Sequence, residues 1–382
     1  MPHPGPFSFS CPTDVRFGAG ALQSLTEVLP PSARSILLVK GSSNTASGPV
    51  RKLLSAAGLE VQPVVCAGEP GVRTVNDAYR SLASRSVDCI VACGGGSVID
   101  TAKALRVALL KGADLTDDDF AVNHGPMGQI PLIVLPTTAG TGSEVTANAV
   151  LGAATSNAKV SLRGRGLQAD IAIVDPDLMR NAPRRVVLFA GMDAVVQNIE
   201  SFTSAKATPF TRALSQPAMA TTLGALVEIL ETGDEGAWAD LACGSLASGI
   251  ALANGGLGAV HGIASVVGGA FPAPHGGVCA RLLAPVIRAN LASSACSPAV
   301  RDDIQECIAV ICDQFAPTQG DDPLSGLESW LSDQDLPRLA DWGVTLGDVE
   351  ALAGASTTAS SSLKNPVKLT PREFADIISQ AL

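Results

Sequence analysis

Between Ser35 and about Asp175, short β-branched runs alternate with amphipathic stretches, and this alternation constrains the chain more than any other feature. SILLVKG is followed by PVRKLLSAAG, VQPVVCAG by VNDAYRSLASRS, and CIVACGGG by DTAKALRVALLKG. Two strands that pair in parallel need a long crossover between them, which a helix supplies, so the rhythm predicts βαβ units and a parallel sheet. PLIVLPTT and DIAIVDP add two more strand-like runs, and residues 145–170 read as a weak hairpin lying over the site. After Pro183 the rhythm stops: RALSQPAMATTLGALVEIL and LACGSLASGIALANGGLGAVHGIASVV are rich in Ala and Leu and read as helices. APTQGDDPLSG is a polar loop. The expectation is an α/β doubly wound domain over residues 1–182 and an all-α domain over residues 183–382, leaving a cleft between them where ligands commonly bind.

A chain of 382 residues with 46% apolar composition has ample material for two cores. Its net charge of −10, with no long block of Lys and Arg, argues against nucleic acid and against an anionic membrane as partners. Nine cysteines, odd in number, scattered and without C-x-x-C spacing, fit a reduced cytosol, so a cytoplasmic location is expected. The N-terminal text lacks a basic stretch followed by an apolar one, and no uninterrupted apolar run approaches the roughly 20 residues needed to span a bilayer.

Two loops carry a nucleotide-binding signal. CIVACGGGSVIDTAKAL sets Gly94, Gly95, Gly96 and Ser97 between an apolar strand and a helix, where bare backbone N–H groups and the helix N-terminus favour a pyrophosphate. Three consecutive glycines alone equally describe a tight turn. PTTAGTGSEVT, at the end of another strand, offers Thr137, Thr138, Thr141 and Ser143 to the phosphates, ribose and amide, unless it is only a cap. Two such loops in one parallel sheet favour the nucleotide reading, since open sheets bind ligands at their carboxyl edge. Asp100 and Lys159 complete the expected cofactor contacts.

The helical half carries a metal signal. GMDAVVQNIESF puts Asp193 and Gln197 four residues apart, on one helix face. His261 and His275, two of only four histidines, sit in apolar, Gly-rich text. Either one alone reads as an ordinary core histidine; together with the aspartate they form an oxygen and nitrogen set suited to Fe(II), Zn(II) or a similar ion. Such an ion acts as a Lewis acid toward a carbonyl under hydride attack.

GGGSVID, PTTAGTGSEVT, GMDA-x-x-x-x-IE, GLG-x-VH and PHG, in this order and spacing, resemble the iron-dependent, group III alcohol dehydrogenases over nearly the whole chain. VRFGAG at residues 15–20, DPDL at residues 175–178 and NPVKLT near the C-terminus are similar to further landmarks of that family. The resemblance implies the dehydroquinate synthase-like fold, NAD(P)-dependent reduction of a small aldehyde to an alcohol and the reverse, and commonly a homodimer, for which FSFSCPTDVRFG is a candidate edge. It also implies a metal held by an Asp and a His one turn apart and by two more His. Those places are Asp193, Gln197, His261 and His275, so one imidazole is replaced by a weaker, neutral amide. Where the family pattern has a further His that relays a proton, this chain has Ser265, a poor acid by itself.

The strand end LLVKGSSN lacks the acidic residue that often binds the adenosine ribose. Gly41, Ser42 and Ser43 give space and donors and Lys40 a charge, which favours NADP(H) over NAD(H). Arg281, Arg288, Lys364 and Lys368 are candidates to pair with an anionic aldehyde such as phosphonoacetaldehyde or a semialdehyde, or are solvated surface charges. Two alternatives compete with the metal-dependent reductase. One is a metal-free enzyme similar to maleylacetate reductase, with Gln197 contacting substrate; the other is a nucleotide-binding pseudoenzyme. A synthase resembling dehydroquinate synthase needs a denser set of basic residues.

Overall fold

The computed structural model describes residues 5–82, 85–125, 130–154, 159–318, 320 and 322–382; Gln319 and Asp321 of the expected loop lie outside them. One compact unit is Cys11–Pro183, and the other joins Arg184–Leu382 to the N-terminal segment as far as Ser10.

The first unit holds strands β1 (Asp14–Phe17), β2 (Ser35–Gly41), β3 (Glu60–Cys66), β4 (Cys89–Gly94), β5 (Leu132–Pro136), β6 (Asn148–Gly152), β7 (Lys159–Arg163) and β8 (Ile171–Val174). Its helices are α1 (Ser47–Ala56), α2 (Val72–Leu82), α3 (Gly96–Lys111) and α4 (Asp117–Ala121). Six strands form one parallel sheet in the order β1-β8-β5-β4-β2-β3, and β6 and β7 form a separate antiparallel hairpin. Every residue of β4 and β5 is buried, which is why these strands read as continuous apolar runs rather than alternating ones. The chain passes from β2 outward to β3 and then returns to β4 on the other side of β2, so the strand order reverses between β2 and β4. That reversal opens a crevice at the carboxyl ends of these two strands.

The second unit is helical: α5 (Arg184–Thr203), α6 (Pro209–Thr232), α7 (Ala237–Gly255), α8 (Ala259–Ala270), α9 (His275–Ala292), α10 (Pro298–Gln314), α11 (Ser325–Asp333), α12 (Val349–Thr358) and α13 (Pro371–Gln380). Helix α5 is the axis of this bundle, packed by α6, α7, α9 and α10, and almost all of its residues after Val186 are buried. Helix α6 is long and apolar enough to cross a membrane by composition, but it packs here on α5 and α7 as a bundle helix.

The expected boundary assigned the first ten residues to the sheet domain. Here residues 5–10 belong with the helices: Phe7 and Phe9 lie on Phe210 with ring centroids 5.5 and 5.4 Å apart. The Ser10 amide donates to Asn254 Oδ1 at 2.7 Å, and Asn254 Nδ2 donates back to the Ser10 carbonyl at 3.1 Å. Local propensity gives no hint of a partner so distant in sequence.

In the sheet unit a lysine sets the shape of the long loop after β5. Lys103 on α3 is fully buried, and its Nζ donates to the carbonyls of Ser143 (2.7 Å), Thr146 (2.8 Å) and Asn148 (2.9 Å). Burial lowers its pKa to about 8 against the opposing pull of Asp100 and Glu144. Replacing it by an apolar side chain strands three buried carbonyls. Lys103→Met is expected to destabilise this unit by about 3 kcal/mol, a fall of roughly 6–12 °C in its thermal transition. A shift of less than 2 °C by scanning calorimetry would refute that role.

Candidate metal centre and nucleotide-binding loops

Gly94 closes β4 and α3 starts two residues later, with no side-chain cap on its first turn. Backbone amides there face outward with the positive end of the helix dipole behind them. The glycines are also demanded by packing. A Cβ on Gly95 would stand 3.0 Å from Thr138 Oγ1, and one on Gly96 would stand 2.9 Å from the Thr141 side chain. The two loops predicted from the sequence are therefore in contact, joined also by the Thr137 amide donating to the Gly94 carbonyl at 3.1 Å. Thr137 and Thr138 are half-buried and Thr141 is exposed.

Gly41 ends β2 and Ser42 and Ser43 follow it, across the strand-order reversal from this loop, with both serines exposed. Lys40 Nζ donates to the Gly41 carbonyl at 2.9 Å, which holds its charge at that strand end. Asp100 and Ser143 bond each other: the Ser143 hydroxyl donates to Asp100 Oδ1 at 2.6 Å, and the Val150 amide donates to Oδ2 at 3.0 Å. These two side chains fasten the loop and the hairpin to α3. Lys159 pairs with Glu69 at 2.8 Å.

In the helical unit, Asp193 and Glu200 lie two turns apart on α5, with Gln197 between them, all three buried. Glu200 closes the N-terminus of α8 by accepting from the amides of Gly258 (2.9 Å) and Val260 (2.7 Å). The same carboxylate takes His261 Nδ1 at 2.7 Å, which turns Nε2 toward Asp193 Oδ1 at 3.1 Å. A carboxylate behind an imidazole fixes its tautomer and strengthens it as a ligand. His275 is the first residue of α9, half-buried, with Nε2 3.8 Å from Asp193 Oδ1. The PHG glycine allows this docking, because a Cβ on Gly276 would meet the Phe189 carbonyl oxygen on α5 at 2.0 Å.

Cys279, one turn along α9 and fully buried, completes the group: its Sγ is 3.7 Å from His275 Nε2, and ligand atoms of Asp193, His261, His275 and Cys279 all lie within 4.8 Å of one another. Burial opposes charge on every member, yet the members hold one another charged. Asp193 stays below the ordinary carboxylate range because His261 hydrogen-bonds it and His275 lies beside it. Despite burial, Cys279 and Asp193 hold His261 well above its ordinary value and raise His275. Cys279 is lowered by the two imidazoles, whereas Cys89 and Cys93, buried among apolar residues, are pushed up to about 12. A buried carboxylate, two imidazoles and a thiol, whose protons a bound cation would displace, form a donor set that fits a divalent ion.

Gln197 lies one turn past Asp193, with its Oε1 accepting from Ser248 Oγ at 2.7 Å. Ser265, one turn past His261, is exposed and donates to the His261 carbonyl at 2.7 Å. Sequence reasoning missed Glu200 and Cys279. The seven-residue step from Asp193 to Glu200 and the four-residue step from His275 to Cys279 are helical repeats that put each pair on one face.

Residues 12–176 match the family described as iron-containing alcohol dehydrogenase, and residues 187–382 match the C-terminal part of the Fe-containing alcohol dehydrogenase family. The chain is 30% identical over 389 residues to the NAD-dependent methanol dehydrogenase of Bacillus methanolicus, covering 98% of this chain and 100% of that one. It is 28% identical over 387 residues to alcohol dehydrogenase 4 of Saccharomyces cerevisiae, covering 98% of each. The solved iron-containing alcohol dehydrogenase of Thermococcus thioreducens is similar with a TM-score of 0.84 at 27% identity, over 98% of this chain and 99% of that one.

Two outcomes follow from the cluster. Glu200→Gln is expected to weaken Zn(II) binding about ten- to a hundredfold in a chelator-competition titration with the helical content unchanged; undiminished affinity would remove Glu200 from the site. Imidazoles bind a metal only when neutral, and those of His261 and His275 have raised pKa values, so proton competition begins at higher pH than at an ordinary histidine site. As the pH is lowered, affinity should therefore begin to fall at a higher pH than at an ordinary histidine site, by roughly tenfold per pH unit for each proton displaced; a flat profile would contradict this electrostatic picture.

Proposed function

The chain belongs to the iron-containing alcohol dehydrogenase family, and from that premise we propose that it reduces a short aldehyde to its primary alcohol, reversibly, with NADP(H) and one divalent metal ion. Alcohol or aldehyde oxidoreduction is the family's chemistry; the cofactor preference, the metal and the substrate are our reading. The observation that carries it is the buried cluster of Asp193, His261 and His275 on three helices, with Glu200 behind His261. Bound there, Fe(II) or Zn(II) supplies Lewis acidity to a carbonyl, and the reduced nicotinamide supplies the hydride.

The side chains divide the remaining tasks. Asp193 and His261 are buried and fixed, while half-buried His275 forms the open side of the cluster toward a small molecule. Ser265, exposed beside His261, passes the proton through ordered water, since its hydroxyl is too weak an acid to supply it alone. The amides of Gly95, Gly96 and Ser97 hold the pyrophosphate, and Thr137, Thr138 and Thr141 hold the ribose and amide. Asp100 and Ser143 keep that loop in place, and Lys159 acts from the hairpin. Support for NADP(H) comes from the β2 end, where Lys40, Ser42 and Ser43 stand and residues 40–45 include no carboxylate.

Support for an anionic substrate is weakened by the packing of the basic residues. Arg281 donates to the backbone carbonyls of Leu336 and Pro337, and Arg288 pairs with Asp322 and Glu328. The charge of Arg288 is balanced by carboxylates and the donors of Arg281 are taken up by carbonyls, which favours an uncharged short aldehyde.

Chelator-stripped protein is expected to oxidise NADPH with short neutral aldehydes only after Fe(II) or Zn(II) is restored, and to do so more slowly with carboxylate- or phosphonate-bearing ones. Dinucleotide binding without turnover under any metal would replace the enzyme with a nucleotide-binding pseudoenzyme. Full turnover of the stripped protein would make it a metal-free reductase. For the cofactor, Ser42→Asp is expected to shift kcat/KM toward NADH by about tenfold or more through repulsion of a 2′-phosphate; no shift would disconnect this strand end from the nucleotide.

A further inference from the structure

The metal reading leaves its fourth ligand open, and two side chains compete for it. Resting on that reading for the presence of a divalent ion, we infer that Cys279, as a thiolate, takes the place of Gln197, so that the ion is held by Asp193, His261, His275 and Cys279.

The first argument is spacing. Asp193 Oδ1 lies 3.1 Å from His261 Nε2 and 3.8 Å from His275 Nε2, and His275 Nε2 lies 3.7 Å from Cys279 Sγ. A tetrahedron with metal–nitrogen and metal–oxygen bonds near 2.1 Å and a metal–sulfur bond near 2.3 Å has edges of about 3.4–3.6 Å. These three separations lie within about 0.3 Å of that range, and all four atoms lie within 4.8 Å of one another.

The second argument is local structure. His275 and Cys279 are four residues apart on α9 and project from one face, and the close approach at Gly276 brings that face onto α5 beside Asp193. Cys279 is fully buried against imidazoles, unlike Cys307, whose sulfur lies 3.7 Å from that of Met219.

The third argument is what Gln197 does instead. Its carbonyl oxygen accepts from Ser248 Oγ at 2.7 Å, a hydroxyl that also reaches the Ser245 carbonyl at 2.8 Å, so the amide is bound into α7. An amide oxygen is a weak neutral ligand, whereas a thiolate brings charge and softness. Where one imidazole is replaced by Gln197, Cys279 restores the ligand count from another helix. A site with one sulfur also favours Zn(II) over Fe(II) relative to an all-oxygen-and-nitrogen set.

Full-length protein, stripped and loaded with one equivalent of Co(II), is expected to show a thiolate-to-cobalt charge-transfer band in the near ultraviolet. Cys279→Ser should abolish the band and weaken Co(II) binding by roughly a hundredfold, and Gln197→Ala should keep the band with affinity within about threefold. Should Cys279→Ser fail to fold, zinc-edge X-ray absorption of the unaltered protein decides: a sulfur neighbour at about 2.3 Å supports the assignment, and a shell of nitrogen and oxygen alone overturns it. A sulfur-bound ion in a protein that reduces no aldehyde would retain this ligand set and discard the reductase reading. Metal-dependent reduction with no sulfur in the shell would do the reverse, and a protein that takes up no ion would overturn both.

Discussion

One buried carboxylate determines how much of the helical unit is arranged. Glu200 lies inside α5, and a charge in that position is tolerable only if donors surround it. The donors come from the start of α8: the amides of Gly258 and Val260, and the imidazole of His261. A single group thereby caps one helix, crosses it onto another and aims a ring nitrogen. Exchanging it for an apolar residue would leave the first turn of α8 with orphaned amides, so the stability of the bundle and the geometry of the ligand cluster rest on the same contacts.

The cluster itself is a balance of like and unlike charges in a dry place. Desolvation acts against Asp193, His261, His275 and Cys279 alike, and only their closeness lets any of them ionise. Without a cation, such an arrangement stores protons on the imidazoles; with one, those protons leave. Two features make this possible. Helix α9 begins at His275, and the residue after it is a glycine small enough for α9 to sit on the α5 backbone.

Much of this was readable in advance wherever chemistry and local pattern coincide. Strands β2, β4 and β5 are continuous apolar runs because both faces of the sheet are covered, and the glycines after β4 are where two loops touch. Asp193, His261 and His275 stand out as polar residues in apolar text. Cys279 does not, because an isolated cysteine resembles a small apolar residue until its neighbours are known. Glu200 was visible only by counting two helical turns from Asp193. The inward use of Arg281 and Arg288 depends on the carbonyls and carboxylates of a distant segment, which no local pattern reports.

The attachment of residues 5–10 to the helices gives the helical unit a contact of unusual reach along the sequence. Ser10 and its partner Asn254 are 244 positions apart, and the whole sheet unit lies between them. Topologically, the sheet unit is an insertion within the helical one. Joining Ser10 to Asn254 closes a loop of that length, an entropic cost that the contacts among α5, α6 and α7 do not carry. The helical unit is therefore completed only by a contact that spans the whole sheet unit in sequence, and contacts of that range are the slow ones to form.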